Sequence, residues 1–132
     1  MCWFYIVSDL ASMNMWSLND DSTANIDTFR IASTDVCQLR VTVATTSTNI
    51  NGSTLSPLTG VWYHVALVRE SVTSLKLYLN GVLSNTNTRD VTLRIIAATR
   101  MEMGAEFSTD TNRADVRFSC IKAWSAGLTI DE

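Results

Sequence analysis

The chain has 132 residues, a hydrophobic content of 46%, a charged content of 17% and a formal net charge of −3. That is the balance of one globular domain with its own core, not of a disordered segment. No run of Lys or Arg appears, which sets nucleic acid aside as a partner, and no apolar run approaches the roughly 20 residues that span a bilayer, which sets membrane insertion aside.

The start, "MCWFYIVSDL", is apolar but lacks the basic n-region and small-residue cleavage site of a signal peptide. It reads as a strand. Short alternating runs recur from there, separated by clusters of Ser, Thr, Asn, Asp and Gly, the pattern of an all-β sandwich. The predicted strands are Cys2–Val7, Met13–Leu18, Thr28–Ala32, Val36–Thr45, Trp62–Glu70, Ser74–Leu79, Val82–Asn85, Thr92–Ala97, Arg100–Met103 and Ala114–Trp124. The single proline, Pro57, falls in "NGSTLSPLTG", read as a loop. With no linker and no repeat, residues 1–132 are expected to form one domain.

The sharpest local signal is "KLYLNGVLS". Asn80-Gly81 between two apolar runs is the preferred pair for a two-residue hairpin, because a type I′ turn needs positive φ at both central positions. Leu75, Leu77 and Leu79 then share one face, with Lys76 and Tyr78 on the other. In "VWYHVALVRE" neither alternating face is clearly polar, so this strand is expected to be covered on both sides.

"GVWYHVALVRESVTSLKLYLNGVL" resembles the central signature of the concanavalin A-like, laminin G-like jelly rolls, a W-x-H-V-A strand followed by one ending L-Y-x-N/D-G. "MCWFYIVSD", "MEMGAEF" and "ADVRFSCIKAWSAGLTIDE" resemble, in order, that family's early F-x-W strand, its I-G-x turn and its closing segment. The resemblance implies a two-sheet antiparallel jelly-roll sandwich, carbohydrate as the partner, and Ca²⁺ as the one cofactor to consider, none being required. It also implies an extracellular or cell-surface location if the chain is part of a larger protein. Relative to the family the chain begins inside the first matched strand and stops at Glu132. A terminal strand is thus expected to be lacking, which would leave an open sheet edge suited to a homodimer or another partner.

Candidate site residues fall into several groups. Glu102 and Glu106 in "MEMGAE" resemble the paired glutamates of family 16 glycoside hydrolases, where residues i and i+4 on a strand share a face as nucleophile and acid/base. Gly104 stands where the intervening aspartate of that motif would be, so the expectation is a non-catalytic module. The acidic loop "NDDSTANID" offers Asp20, Asp21, Asn25 and Asp27, with Asp110 and Asn112 in "STDTNRAD", as oxygen donors for Ca²⁺. Ordinary turn-making is the competing role for these residues.

Aromatic rings stack on sugar faces. Trp3, Trp62 and Trp124 sit in matched strands and are expected in the core, leaving Trp16 as the best exposed ring. Trp16, Arg100 and Asn112 are the expected ligand-binding set, with Tyr63 and Tyr78 weaker candidates. His64, the lone histidine, has no neighbouring ligand or triad partner in sequence and is expected to be hydrogen-bonded inside the sandwich. Cys2, Cys37 and Cys120 cannot form a closed disulfide set; three interior thiols is the leading expectation, and one bridge with a leftover thiol the other. Asn51-Gly52-Ser53 matches the N-glycosylation pattern, which without a signal peptide is read as chance. The functional expectation is a non-catalytic glycan-binding module, with a self-associating structural or interaction module as the alternative.

Overall fold

The computed structural model describes residues 1–8, 12–19, 26–43, 46–55, 58–71, 74–87, 100–104 and 113–122. These residues form strands β1 (Cys2–Ile6), β2 (Met13–Asn19), β3 (Ile26–Ile31), β4 (Val36–Val43), β5 (Thr46–Thr54), β6 (Trp62–Ser71), β7 (Ser74–Leu79), β8 (Val82–Asn87), β9 (Arg100–Met103) and β10 (Val116–Ser119). Two antiparallel five-stranded sheets result. Sheet 1 runs β10-β1-β6-β7-β8 and sheet 2 runs β5-β4-β3-β2-β9. This is the expected all-β sandwich. The predicted strand Thr92–Ala97 lies outside the described residues.

Alternation places the core. In β1, Cys2, Phe4 and Ile6 are buried while Trp3 is exposed. Leu75 and Leu77 in β7 point inward as the sequence predicts. From sheet 2 come Met13, Met15, Phe29, Ile31, Leu39 and Ile50. Phe4 joins the layers, stacked on Tyr63 at 5.6 Å and edge-on to Phe29 at 6.1 Å between ring centroids. Burying such side chains contributes about 1.5–3 kcal/mol each.

The β7–β8 hairpin is the predicted one. Asn80 and Gly81 have φ of 52° and 79°, the signature of a type I′ turn. Asn80 Oδ1 accepts the His64 backbone N–H at 2.9 Å, and the Asn80 N–H donates to the His64 carbonyl at 2.7 Å. The tip is therefore clasped to β6.

Three expectations are corrected. The stretch around "NGST", read as a loop, is the end of strand β5, paired with β4 along Val36–Val43. The last strand is shorter than Ala114–Trp124: it ends at Ser119, because Cys120 adopts a left-handed φ of 51°. Cys2 and Cys37 are buried free thiols, but Cys120 is exposed rather than interior.

Beyond the edges of the sheets, β5 and β8 close one side of the sandwich. The Ser53 backbone N–H donates to Ser84 Oγ at 2.5 Å, Ser84 Oγ donates to Ser53 Oγ at 2.9 Å, and Asn85 Nδ2 donates to the Asn51 carbonyl. Gly52 lies at this seam with no side chain to hold the strands apart.

Candidate ligand-binding faces

The two outward faces differ in chemistry and in access. On sheet 2 the outer row is polar. Asn14 stands opposite Arg30, Ser17 opposite Thr28, and Arg30 opposite Gln38. Arg30 Nε donates to Gln38 Oε1 at 2.5 Å, and Gln38 Nε2 donates to Asn51 Oδ1 at 2.5 Å. The middle of this face is closed to solvent: Asn14, Ser17, Asn19, Thr28 and Gln38 are all buried. Side chains closed off in this way are not presented to a ligand. The rim of the face stays open, with Arg30 and Arg40 half-buried and Ser47, Asn49 and Asn51 exposed.

Sheet 1 is the reverse. Its outer face carries aromatic rings at the surface, Trp3 42% exposed and Trp62 45% exposed. Strand register sets them in a block of four. Trp3 on β1 faces His64 on β6, and Tyr5 faces Trp62. The ring centroids are 5.0 Å apart for Trp3–His64 and 5.6 Å for Tyr5–Trp62, both tilted. On the other flank β10 places Ser119 beside Trp3 and Arg117 beside Tyr5. The Arg117 guanidinium lies over the Tyr5 ring, 5.7 Å from its centroid, a cation–π contact that fixes both groups. Cross-strand pairs of this kind hold each ring against a neighbour rather than leaving it free to rotate.

His64 therefore does not sit inside the sandwich. Its ring is on the outer face against Trp3, and burial, with a smaller contribution from the positive amino terminus, holds its pKa below the usual 6.5. Nor is β6 covered on both sides: Tyr63 and Val65 are buried, while Trp62 is exposed. Trp3 and Trp62 are surface residues, not core. The alternation in "CWFYI" carried this information, since Cys2, Phe4 and Ile6 claim one face and leave Trp3 and Tyr5 the other. Trp124 lies outside the described residues.

Trp16 goes the other way. A β-bulge between Asn14 and Trp16 shifts the register of β2 on β3, so Trp16 pairs with Phe29. Its ring is half-buried, stacked on Phe29 at 6.0 Å and packed against the core. Counting by twos from Met13 and Met15 puts Trp16 outside; the extra residue of the bulge reverses it. Arg100, exposed on β9, forms an ion pair with Glu102 at 3.0 Å and stands opposite Asn19. Trp16 and Arg100 thus share an edge of sheet 2 but not a face, and Asn112 lies outside the described residues.

For the glutamate pair, β9 ends at Met103 and Gly104 has a φ of 76°, so the strand carrying Glu102 stops before position 106; Glu106 lies outside the described residues. For calcium, Asp27 is buried in β3 opposite Leu18 and Val41. Asp20, Asp21, Asn25 and Asp110 lie outside the described residues. Among the described residues no group of three His, Cys, Asp or Glu side chains comes together to hold a metal ion.

A family model described as the concanavalin A-like lectin/glucanases superfamily, of the laminin G kind, matches residues 1–132. No curated protein matches the sequence. Among solved structures the chain is similar to the Ruminococcus gnavus IT-sialidase CBM40 bound to alpha2,3 sialyllactose, with a TM-score of 0.66 and 13% identity over 89% of this chain and 72% of that one. It is also similar to the same module bound to alpha2,6 sialyllactose, with a TM-score of 0.68 and 13% identity over 98% of this chain and 77% of that one. At that identity the likeness carries the fold.

Proposed function

The chain belongs to the concanavalin A-like lectin/glucanases superfamily, and from that premise we propose that it is a non-catalytic glycan-binding module whose binding face is the outer side of sheet 1. The observation that carries this is the pair of exposed, braced indoles, Trp3 and Trp62. A pyranose presents a face of C–H bonds that an aromatic ring receives, and its hydroxyl groups are left for polar neighbours. Here those neighbours are Arg117, Ser119 and His64. The similar CBM40 modules, bound to sialyllactose, support a sugar as the ligand class. The ion pair on Glu102 and the left-handed turn at Gly104 support the absence of glycosidase chemistry.

The test is a glycan array on folded protein, with and without Ca²⁺, read against the Trp3→Ala/Trp62→Ala double variant. Binding by the natural chain and none by the variant is the expected result. A calcium-dependent signal that survives the variant would move the site to the Asp20 and Asp110 loops. Silence of the natural chain in both conditions would sink the glycan reading.

A second reading, self-association through a sheet edge, draws on β9, an edge strand with exposed Met101 and Met103. Light scattering of the purified chain reads it directly: a monomer across the micromolar range removes it.

A further inference from the structure

We infer that the ligand of the sheet 1 face is an extended stretch of a neutral, β-linked glycan chain, held at two stacking positions, Trp3 and Trp62, rather than a single terminal sugar. This rests on the glycan reading above and narrows it to a ligand class.

The spacing comes first. Trp3 and Trp62 are diagonal neighbours on adjacent antiparallel strands, because Trp3 faces His64 and Trp62 faces Tyr5. Such diagonal positions lie about 7–8 Å apart along the sheet, more than the width of one pyranose ring. One sugar therefore cannot cover both indoles. Two consecutive or next-but-one sugars of a chain can. The line joining the indoles crosses β1 and β6 obliquely; Ser119 on β10 stands beside the Trp3 end, and Tyr5 stands between Trp62 and Arg117.

Shape comes second. The face is the outward side of a sheet, with its rings anchored by neighbouring rings, so it is a platform and not a pit. A chain of pyranoses with equatorial substituents and β-linkages is straight and ribbon-like, and it turns C–H faces outward along its length. An α-linked chain coils away from a plane after one or two units.

Charge comes third. Arg117 is engaged over the Tyr5 ring. Lys76, further across the same face on β7, is paired with Glu70 at 2.5 Å. The amino terminus, whose charge reaches His64, donates to the Lys122 carbonyl at 2.7 Å; these three cations are engaged within the protein, which favours a neutral chain over an acidic sugar.

Area separates this occupant from a second copy of the protein. A tryptophan offers up to about 250 Å², so exposures of 42% and 45% leave roughly 200 Å² for the two indoles together. A stable protein interface needs about 800 Å² from each partner. The platform is the size of a short oligosaccharide.

The experiment is calorimetric titration with β-1,4-linked gluco-oligosaccharides and chito-oligosaccharides of one to six units. The natural chain is compared with Trp3→Ala, Trp62→Ala, Trp3→Phe and Trp62→Phe. Both positions are at the surface, and circular dichroism confirms folding. The expected result is affinity that rises with length from one unit and then levels off. Each alanine variant loses roughly tenfold for the longer chains, while the phenylalanine variants keep part of the affinity. If a monosaccharide binds as tightly as the longer chains, or sialyllactose binds in preference to every neutral chain, the two-position inference is overturned while glycan binding stands. If loss of either indole leaves the length dependence intact, the platform is not the site. If neither these chains nor any arrayed glycan binds, the underlying glycan reading falls with it.

Discussion

Gly52 tests how the two sheets are held together. A Cβ at this position would lie 2.5 Å from Leu77 Cδ2, 2.7 Å from Ser84 Oγ and 3.2 Å from the Cys37 carbonyl oxygen. Carbon atoms in contact prefer about 3.5–4.0 Å, so in Gly52→Ala the Leu77 side chain must retreat by about 1 Å. Leu77 is fully buried and has nowhere to go. Overpacking of this kind costs about 1–3 kcal/mol. Displacing Ser84 also weakens its hydrogen bonds to Ser53 at 2.5 and 2.9 Å, about 0.5–1.5 kcal/mol each. Against this, alanine stiffens the unfolded chain by about 0.4–1 kcal/mol. The net expectation is a loss of about 2–3 kcal/mol, or a fall in Tm of about 10 °C for a domain of this size. Urea and thermal unfolding measure it. The mechanism is isolated by a cycle with Leu77→Val, which removes Cδ2: on that background Gly52→Ala should cost less than about 1 kcal/mol. A cost below about 0.5 kcal/mol in the natural chain, or an equal cost in both backgrounds, refutes steric closure at this seam.

Other outcomes follow from single groups. Burial pushes the Cys37 thiol up to about 12 and raises that of Cys2, whereas Cys120 is exposed; a thiol reagent at pH 8 should label one cysteine rapidly and the other two only on unfolding, and three equal rates would contradict the packing. His64 is held below its ordinary pKa of 6.5 by burial and then by the amino terminus. The unfolded chain thus takes up the proton first, and stability should fall as pH drops below 6.5 toward the depressed folded value. His64→Gln should flatten that part of the Tm–pH curve, and an unchanged slope would assign it elsewhere. At the hairpin tip, Asn80→Ala should cost about 1–2 kcal/mol, since alanine tolerates a φ of 52° less well than asparagine and lacks the acceptor for the His64 N–H. Asn80→Gly should cost less in the same melts, and the opposite order would exclude backbone strain as the cause.

Two Asn-Gly pairs show what the sequence reveals and what it conceals. Asn80-Gly81 lies between runs of alternating apolar residues and makes the expected turn, with positive φ at both positions. Asn51-Gly52 looks the same locally and is surrounded by Ser and Thr, yet it continues β5. Its glycine serves a contact with Leu77 and Ser84, residues 25 or more positions away in the chain, and its asparagine accepts from Gln38 across the sheet. Both requirements are tertiary and leave no local trace. The bulge in β2 is a second case. The residues "MNMWSLN" alternate well enough to announce a strand, but not to announce the extra residue that turns Trp16 inward. Where the alternation of apolar residues is clear, as in β2 and β7, the strand was readable; β5, polar at all but Ile50 and Gly52, was not. Side-chain direction past a bulge depends on the partner strand.

The faces of the sandwich, rather than the motifs, decide where a ligand can sit. Exposed apolar residues are common on protein surfaces, and buried polar ones are uncommon. In this chain the uncommon arrangement is on sheet 2, where a row of Asn, Ser, Thr and Gln is closed to solvent and Gln38 bridges Arg30 to Asn51 toward the β5–β8 seam. Those groups lie closed off along the strands, so a ligand settling on that face does not reach them. Sheet 1 has the complementary property. Its exposed rings are braced in cross-strand pairs, so little side-chain freedom remains to be lost when a ligand settles on them. Two indoles fixed in place at the surface, and given no other structural duty than the rings they lean on, are the part of this fold that packing alone does not require.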